Sequence, residues 1–189
     1  MANTEKQNNY TLLISMVGHA GSGKSYFARE LARRRGFVRI NSDSLRSAIF
    51  GSAQEVQEQP KHIRVEGIFK GLDYIAEQIL LSGKSVIYDS NNNRLMTRKQ
   101  KRLIAKKCDA TSIIVWVKTS KELAVRRVQE RDALVDQLKL NKKQSAEVIE
   151  RHISNLDEPD QTENLIIVDG TESFNKQLSA FSNQLRTLL

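Results

Sequence analysis

The 189-residue chain has one cysteine, Cys108, and no apolar run that approaches the length of a membrane span. A single cysteine cannot form an intrachain disulfide, and it does not suggest a cysteine-based metal site. A membrane span needs roughly 18 to 20 apolar residues, and the polar segment 1–9 lacks the hydrophobic region of a signal peptide. We therefore expect a cytoplasmic protein without a membrane partner, with a disordered leader at 1–9 and a single domain at 10–189.

The most informative stretch is Gly18–Ser25, GHAGSGKS, which follows the apolar run Leu12–Val17. It fits the pattern G-x-x-x-x-G-K-[ST], in which a strand ends, a loop turns its amide N–H groups inward and a helix begins. The motif predicts a site for ATP, or another NTP, with Lys24 on the outer phosphates and Ser25 on Mg²⁺. The alternative is a glycine-rich turn that binds nothing, and chance produces this pattern in roughly one such chain in a hundred. The residues expected to bind the nucleotide here are Gly18, Ala20, Gly21, Ser22, Gly23, Lys24, Ser25 and Tyr26.

Apolar strand patterns alternate with amphipathic helix patterns along the chain. The predicted strands are 11–17, 37–41, 85–88, 111–117 and 165–168. The predicted helices are 24–35, 43–50, about 60–81, 95–107, 121–132, 145–156 and 174–188, and 133–143 is less certain. This alternation predicts an α/β fold with a parallel sheet that is covered on both faces. Ligands of such folds bind at the carboxyl ends of the strands.

Three aspartates follow predicted strands, namely Asp43, Asp89 and Asp169. Asp43 precedes Arg46 by three residues, so the carboxylate and the guanidinium share a helix face. Near a γ-phosphate, such a carboxylate can accept a proton from an attacking hydroxyl, and such an arginine can hold an anionic acceptor. The structural alternative is that Asp43 caps the helix that it opens.

Asp89 is the candidate acidic residue for orienting Mg²⁺ beside Ser25. No glutamate follows it, which argues mildly against an ATPase that activates water with a glutamate. The polar loop Ser90–Asn93 and Arg98 are placed to contact an acceptor, although a loop without a binding role would have the same composition.

The helix after the fourth predicted strand offers Arg126, Arg127 and Arg131. Arg127 and Arg131 are four residues apart and share one face, where a guanidinium could neutralise charge that develops between the β- and γ-phosphates. The segment 132–143 would then form a lid that excludes water. The alternative is a solvated basic helix face.

Several segments together resemble the P-loop kinase family that includes the 5′-kinase domain of polynucleotide kinases and, more distantly, zeta toxins. The resemblance runs from about Leu12 to Gly170. The segments that carry it are Gly18–Ser25, Ile40–Arg46 (INSDSLR), Val86–Asn92 (VIYDSNN) and Arg127–Arg131 (RVQER).

The resemblance implies a three-layer P-loop NTPase fold with a five-stranded parallel sheet of order 2-3-1-4-5 and a helical lid. It also implies that Asp43 is the general base and that Arg46 contacts an acceptor phosphate. Asn92 and Arg98 would be a polar pair that binds the acceptor, and Arg131 would be the lid arginine.

One further observation bears on the substrate, and it leaves three hypotheses open. The formal net charge of +8 favours anionic partners, although a nucleotide alone would account for part of it. The first hypothesis is an ATP- and Mg²⁺-dependent kinase that acts on a nucleic-acid 5′-OH, as polynucleotide kinases do. The second is a kinase of a small molecule such as a nucleoside, sugar or antibiotic. The third is an ATPase switch without a phosphoryl acceptor.

Overall fold

The computed structural model describes residues 10–130 and 142–189. The predicted leader 1–9, Arg131 and most of the predicted lid at 132–143 lie outside the described residues. The strands are β1 (Leu12–Val17), β2 (Val38–Asn41), β3 (Val86–Asp89), β4 (Thr111–Lys118) and β5 (Leu165–Asp169). The helices are α1 (Lys24–Arg35), α2 (Ser42–Phe50), α3 (Ala53–Glu58), α4 (Ile68–Leu81), α5 (Leu95–Lys107), α6 (Lys121–Glu130), α7 (Lys142–Ser154) and α8 (Phe174–Leu188), with a π-helix at His62–Gly67 and a 3₁₀ turn at Gln161–Glu163.

The five strands form one parallel sheet with the order β2-β3-β1-β4-β5, which confirms the predicted α/β fold and strand order. The central strand β1 is buried along its whole length, as expected for a strand covered on both faces. The register between β2 and β3 pairs Asn41 with Asp89. The carboxyl ends of β1, β2 and β3 therefore meet beside the Gly18–Ser25 loop.

Helices cover both faces of the sheet and complete three layers. On one face, Phe27 of α1 packs against Phe181 of α8 with ring centroids 5.9 Å apart, and both side chains are fully buried. On the other face, Leu72 of α4 and Ala105 of α5 pack in one cluster with Tyr88 of β3. Burying a large apolar side chain stabilises a fold by about 1.5–3 kcal/mol, so packing on the sheet holds these helices in place.

Two elements differ from the sequence prediction, and both lie between β2 and α4. The segment between the predicted helices 43–50 and about 60–81 contains α3, because Ser52 and Glu55 form a capping box that satisfies the first amides of the helix. The single helix predicted over about 60–81 is divided into a π-helix and α4. The π-helix buries none of its residues, so core packing does not enforce α-helical geometry there. None of the helices in the described ranges has the length and apolarity to cross a bilayer.

Candidate phosphate-binding and phosphoryl-transfer site

The loop between β1 and α1 has the backbone geometry that the motif requires. Gly21 and Gly23 have φ of 77° and 100°, in the left-handed region where glycine is favoured. A β-carbon on Gly21 would lie 2.4 Å from the Ala124 carbonyl oxygen, so α6 approaches this loop too closely for any other residue. Gly23 is the N-cap of α1, and neither a capping side chain nor an acidic residue satisfies the first turn. The first amides of α1 can therefore bind an anion together with the positive end of the helix dipole.

Lys24 and Ser25 extend from the first turn of α1 toward this loop and Asp89. The Lys24 ammonium donates to the carbonyl oxygens of Gly18 and His19, each at 2.7 Å. The Ser25 hydroxyl donates to Asp89 Oδ1 at 3.2 Å. Lys24 is thus held beside the carbonyl groups of the loop, and the Ser25 hydroxyl is held beside a buried carboxylate.

Asp89 is almost completely buried at the end of β3, with 1% of its surface exposed. Besides Ser25, it accepts hydrogen bonds from Arg39, whose Nε lies 2.8 Å from Oδ2, and from Asn41 Nδ2 at 3.1 Å. The paired Ser25 and Asp89 oxygens fit Mg²⁺, which prefers oxygen ligands and usually keeps several waters. Because Arg39 donates to Oδ2, the other carboxylate oxygen, Oδ1, which faces Ser25, is the better placed of the two to bind Mg²⁺. In the described ranges no cluster of three or more His, Cys, Asp or Glu residues could hold a metal by itself.

Asp43 is the second residue of α2, and the structure shows that it does not cap this helix. The cap is Asn41, whose Oδ1 accepts from the backbone amides of Asp43 and Ser44 at 3.1 and 2.9 Å. The Asp43 side chain is instead 51% exposed and accepts from Arg46 Nη1 at 2.7 Å. Arg46 is itself anchored, since its Nε donates to the Arg64 carbonyl oxygen at 2.7 Å. The expected pairing of Asp43 with Arg46 on one helix face is therefore present.

A cavity of about 710 Å³ connects these groups. It is lined by both Lys24 and Asp43, together with Ser25, Asp89 and Arg46. The Asp43 carboxylate and the Lys24 ammonium therefore face the same space. The other predicted nucleotide contacts that line it are Gly18, Ala20, Gly21 and Gly23.

Two predicted nucleotide contacts, Ser22 and Tyr26, do not line the cavity, and neither does Asp169, the third aspartate that follows a strand. Ser22 is buried beneath the loop, and Tyr26 is 49% exposed with its ring edge-to-face against Phe174. Asp169 caps its own turn, because its Oδ1 accepts from the Thr171 amide and hydroxyl, and these bonds lower its pKa. None of the three lines the cavity.

Asn92 and Arg98 are structural residues, which corrects their assignment to acceptor binding. Both side chains are fully buried. Asn92 Nδ2 donates to the carbonyl oxygens of Met16 and Tyr88 at 3.1 and 3.0 Å, so this amide ties the end of β3 to β1. Arg98 forms a bidentate pair with Glu163, with both N–O distances 2.9 Å. Neither side chain lines the cavity, and Asn92 Oδ1 is buried without a hydrogen-bond partner.

Arg127 lies in α6 beside the loop. Its Nη1 would be 3.6 Å from a β-carbon built on Gly23, so the guanidinium is close to the helix end that the motif assigns to phosphate. Arg127 does not line the cavity in this conformation. The predicted partner Arg131 lies outside the described residues.

One histidine, His19, lies in the loop, and a second, His152, contacts the loop. Neither was predicted as a site residue. The imidazole nitrogens of His19 lie 2.9 Å from the Ala20 carbonyl oxygen and 3.0 Å from that of Thr119. His152 of α7 accepts from the Ala20 amide at 3.1 Å and lines the cavity. His152, Arg39 and Asn41 were not predicted as site residues, because only the tertiary fold brings each of them to the site. Only Asn41 had a local signal, since Asn before a helix is a preferred cap.

A parallel sheet whose first strand leads through a glycine-lined loop into a helix, with lysine and serine at the helix start, defines a P-loop NTPase. The sequence profile of the family described as AAA domain matches residues 13–159. The match covers most of the chain, which therefore belongs to this family. A search of curated protein sequences gave no match.

Solved structures with the same fold include small-molecule kinases. A sugar kinase from a Janibacter species is 14% identical, with a TM-score of 0.66 over 94% of this chain and 95% of that one. A gluconokinase from Sinorhizobium meliloti is 16% identical, with a TM-score of 0.63 over 95% of this chain and 94% of that one. Kti12 from Chaetomium thermophilum, solved with ADP-AlF3, is 21% identical, with a TM-score of 0.68 over 94% of this chain and 99% of that one. At these identities the likeness establishes the fold, and it confirms the resemblance to P-loop kinases at that level.

Proposed function

We propose that the protein is an ATP-dependent kinase that transfers the γ-phosphoryl group to a hydroxyl of a small polar acceptor. The observation that carries this proposal is that the exposed carboxylate of Asp43 and the loop lysine Lys24 line one cavity. A P-loop that only binds nucleotide does not need a second, half-exposed carboxylate at this position. A kinase needs one to accept the proton of the attacking hydroxyl.

The chain supplies groups for each part of the nucleotide's phosphate tail. The amides of the loop and the first turn of α1 would donate to the phosphate oxygens, and Lys24 would leave its two carbonyl partners to contact the outer phosphates. Ser25, supported by Asp89, would hold Mg²⁺, which neutralises phosphate charge when it is bound. Asp89 is itself held by Arg39 and Asn41, so this carboxylate needs little reorganisation before metal and nucleotide bind.

In the proposed reaction, the acceptor hydroxyl oxygen forms a bond to the γ-phosphorus as its proton passes to Asp43. The bond between the γ-phosphorus and the β–γ bridging oxygen breaks, and ADP leaves with that electron pair. Arg46 would orient the Asp43 carboxylate through its 2.7 Å contact and attract an anionic group on the acceptor.

A small acceptor is supported by the space beyond Asp43. A side pocket of about 230 Å³ lies between α2, α3 and the π-helix, and its lining includes Asp43, Arg46, Gln57 and Arg64. At roughly 30 Å³ for each water in the liquid, this space corresponds to about eight water molecules, which suits a molecule the size of a sugar. The two arginines favour an acceptor that carries a negative charge.

The second candidate is the 5′-OH of a nucleic acid. It is supported by the net charge of +8 and by Arg94, which lines the larger cavity and is about half-exposed. A polynucleotide would place only its terminal nucleoside near Asp43 and would lie across the basic surface. Its binding would weaken steeply with added salt, whereas the binding of a small acceptor would weaken less.

A phosphoryl-transfer screen tests the proposal and separates the candidates. Purified protein would be incubated with γ-labelled ATP and Mg²⁺ against sugars, sugar acids, nucleosides, and 5′-OH DNA and RNA. We expect label on a sugar-sized acceptor. Label only on a polynucleotide would support the second candidate, and release of free phosphate without any labelled acceptor would overturn the kinase proposal in favour of an ATPase switch.

A further inference from the structure

His152 reaches into the phosphate-binding loop from a distant part of the chain. It lies on α7, and its Nδ1 accepts a hydrogen bond from the Ala20 amide at 3.1 Å across 132 residues of sequence. The imidazole is half-buried and lines the same cavity as Lys24 and Asp43. The contact therefore involves one of the loop N–H groups that the motif assigns to phosphate binding.

The position of His152 is fixed by contacts on both sides of it. One turn earlier, Ile149 is fully buried, and the neighbouring Glu150 pairs with Lys121 of α6. Just beyond the helix, Asp157 Oδ2 accepts from the Leu95 amide at 2.8 Å, and the Asp157 amide donates to the Asn93 carbonyl oxygen at 3.0 Å. These contacts hold α7 against α6 and against the start of α5, so the imidazole reaches Ala20 from a supported helix.

The hydrogen bond defines the protonation state in which it can form. Because the Ala20 amide is a donor, Nδ1 must offer a lone pair, and the imidazole must be neutral. A phosphate oxygen seeks the same N–H, so phosphate and neutral His152 compete for one donor. Protonated His152 cannot accept from Ala20, but it can donate to a phosphate oxygen. Protonation therefore converts His152 from a competitor of the phosphate into a ligand.

The surrounding charges favour the neutral form until an anion arrives. Burial lowers the pKa of His152, and electrostatic interactions with Lys24, His19 and Arg151 lower it further, while Asp43 opposes them. A polyphosphate beside the ring would add several negative charges and raise this pKa again. The ring is thus placed where its charge depends on whether phosphate is present.

We propose that His152 binds the outer phosphates of the nucleotide, and that it takes up a proton from solvent as it exchanges the Ala20 amide for a phosphate oxygen. This inference rests on nucleotide binding by the loop, as in the proposed function, but not on the identity of the acceptor. Its consequence is that nucleotide affinity increases as pH falls. The gain is complete below the pKa of His152 in the free protein and is lost as pH rises through its higher pKa in the complex.

The test compares the wild type with His152→Asn, which keeps a neutral acceptor at this position but cannot be protonated. Binding of the β,γ-imido analogue of ATP with Mg²⁺ would be measured by calorimetry at about pH 6 and about pH 8, in buffers of different ionisation enthalpy. The matched control is His62→Asn, because His62 is exposed on the π-helix and does not line the cavity. The titration of the phosphate itself is common to all three proteins and cancels in the comparison.

We expect His152→Asn to weaken binding about tenfold at the lower pH and less than about twofold at the higher pH. Wild type and His62→Asn should take up roughly half a proton more than His152→Asn near neutral pH. In the wild type, imidazole NMR signals would show the His152 pKa rising when the analogue binds, and this measurement does not depend on whether the variant folds. Equal affinity and equal proton uptake in all three proteins would overturn the inference while leaving the kinase proposal intact. Failure of the wild type to bind any nucleoside triphosphate would instead overturn the proposed function.

Discussion

Asn41 and Asp43 have separate roles, although the sequence pattern allowed Asp43 both to cap α2 and to face the site. Asn41 caps α2 and also donates to Asp89, whereas Asp43 keeps its carboxylate on the cavity side. Without the capping role of Asn41, the amides of the first turn would compete with Arg46 for the Asp43 oxygens. The Asp43 carboxylate is therefore not used by the helix cap and faces the cavity, as the proposed role of a base requires.

The first prediction concerns Asp43 as the proton acceptor. Replacing it with asparagine keeps the shape of the side chain but removes its basicity, so we expect kcat to fall about 100-fold or more. The dissociation constant for ATP should change less than about threefold, because in the proposed reaction Asp43 would contact the acceptor and not the loop. Steady-state kinetics on the acceptor found in the screen, together with calorimetry for ATP, would measure both.

Asp169 offers a matched control for Asp43, since it is also an aspartate at the carboxyl end of the sheet but lies outside the cavity. Asp169→Asn should leave kcat within about twofold of the wild type. If Asp43→Asn is as active as Asp169→Asn, Asp43 is not the base.

Among the elements, those with a strong apolar pattern were predicted best. The pattern placed the last helix at 174–188, and the structure has α8 at Phe174–Leu188, because Phe181 is buried in the core and four further apolar residues of the helix pack against the same cluster, namely Phe174, Leu178, Leu185 and Leu188. The capping box of α3 was also readable in the sequence as Ser52 and Glu55, although it was not recognised there. The π-helix had no such signal, since an α-helix and a π-helix use the same kinds of residues.

The roles of Asn92 and Arg98 were not predictable from local sequence. Polar residues after a strand suggest a binding loop, and only the tertiary structure shows that Glu163, 65 residues away from Arg98, turns this arginine inward. The strand, loop and helix of the motif fix where Lys24 and Ser25 lie, and Asp89 lies beside Ser25 at the end of β3; their roles in binding nucleotide and Mg²⁺ stay predictions. Residues that pair across distant segments, as Arg98 and Glu163 do, have no fixed spacing in the sequence.

The second prediction concerns the contact between the phosphate loop and α6. Gly21→Ala would place a methyl group 2.4 Å from the Ala124 carbonyl oxygen, at a φ of +77°. Either the loop or α6 must move, so we expect nucleotide affinity to fall at least about tenfold and the free energy of unfolding to fall by about 1–3 kcal/mol. Calorimetry and urea unfolding would measure the two effects.

Gly36→Ala separates loop geometry from backbone strain. Gly36 ends α1 at a φ of +69°, and a β-carbon there would meet nothing within 4 Å. This variant should lose about 1 kcal/mol of stability and keep its nucleotide affinity. Equal affinities for the Gly21 and Gly36 variants would contradict the predicted clash.

At the scale of the whole molecule, the pair between Arg98 and Glu163 joins two segments that flank the sheet. Arg98 belongs to α5, and Glu163 lies in the 3₁₀ turn before β5. Burial raises the pKa of Glu163, but its hydrogen bonds and charge contacts with Arg98 and Arg102 outweigh that effect and lower its pKa overall. The folded protein therefore favours the ionised carboxylate.

The third prediction follows from the burial of this pair. Glu163→Gln leaves the fully buried guanidinium of Arg98 without a counterion, and we expect a loss of about 3 kcal/mol in the free energy of unfolding at neutral pH. In the wild type, the contribution of Glu163 is present above its unfolded pKa of about 4.3 and is lost as pH falls through its lower folded pKa. Urea unfolding between neutral pH and a pH well below the unfolded pKa should therefore show a smaller acid-dependent loss in the variant than in the wild type.

A surface pair provides the comparison. Glu172 and Lys176 are 2.9 Å apart at the start of α8, with 42% and 70% of their side chains exposed. Glu172→Gln should change the free energy of unfolding by less than about 1 kcal/mol. A similar small change for Glu163→Gln would show that the buried pair does not stabilise the fold.

The location of Glu163 also determines where this protein can be shortened. The match to the family profile stops at residue 159, yet β5, α8 and the carboxylate that neutralises Arg98 all come later. A fragment that ended at that boundary would lack Glu163, so the buried guanidinium of Arg98 would lose this counterion. It would also lack Phe181, which packs against the ring of Phe27. The smallest unit that can be expressed as a folded protein is therefore larger than the region by which its family is recognised.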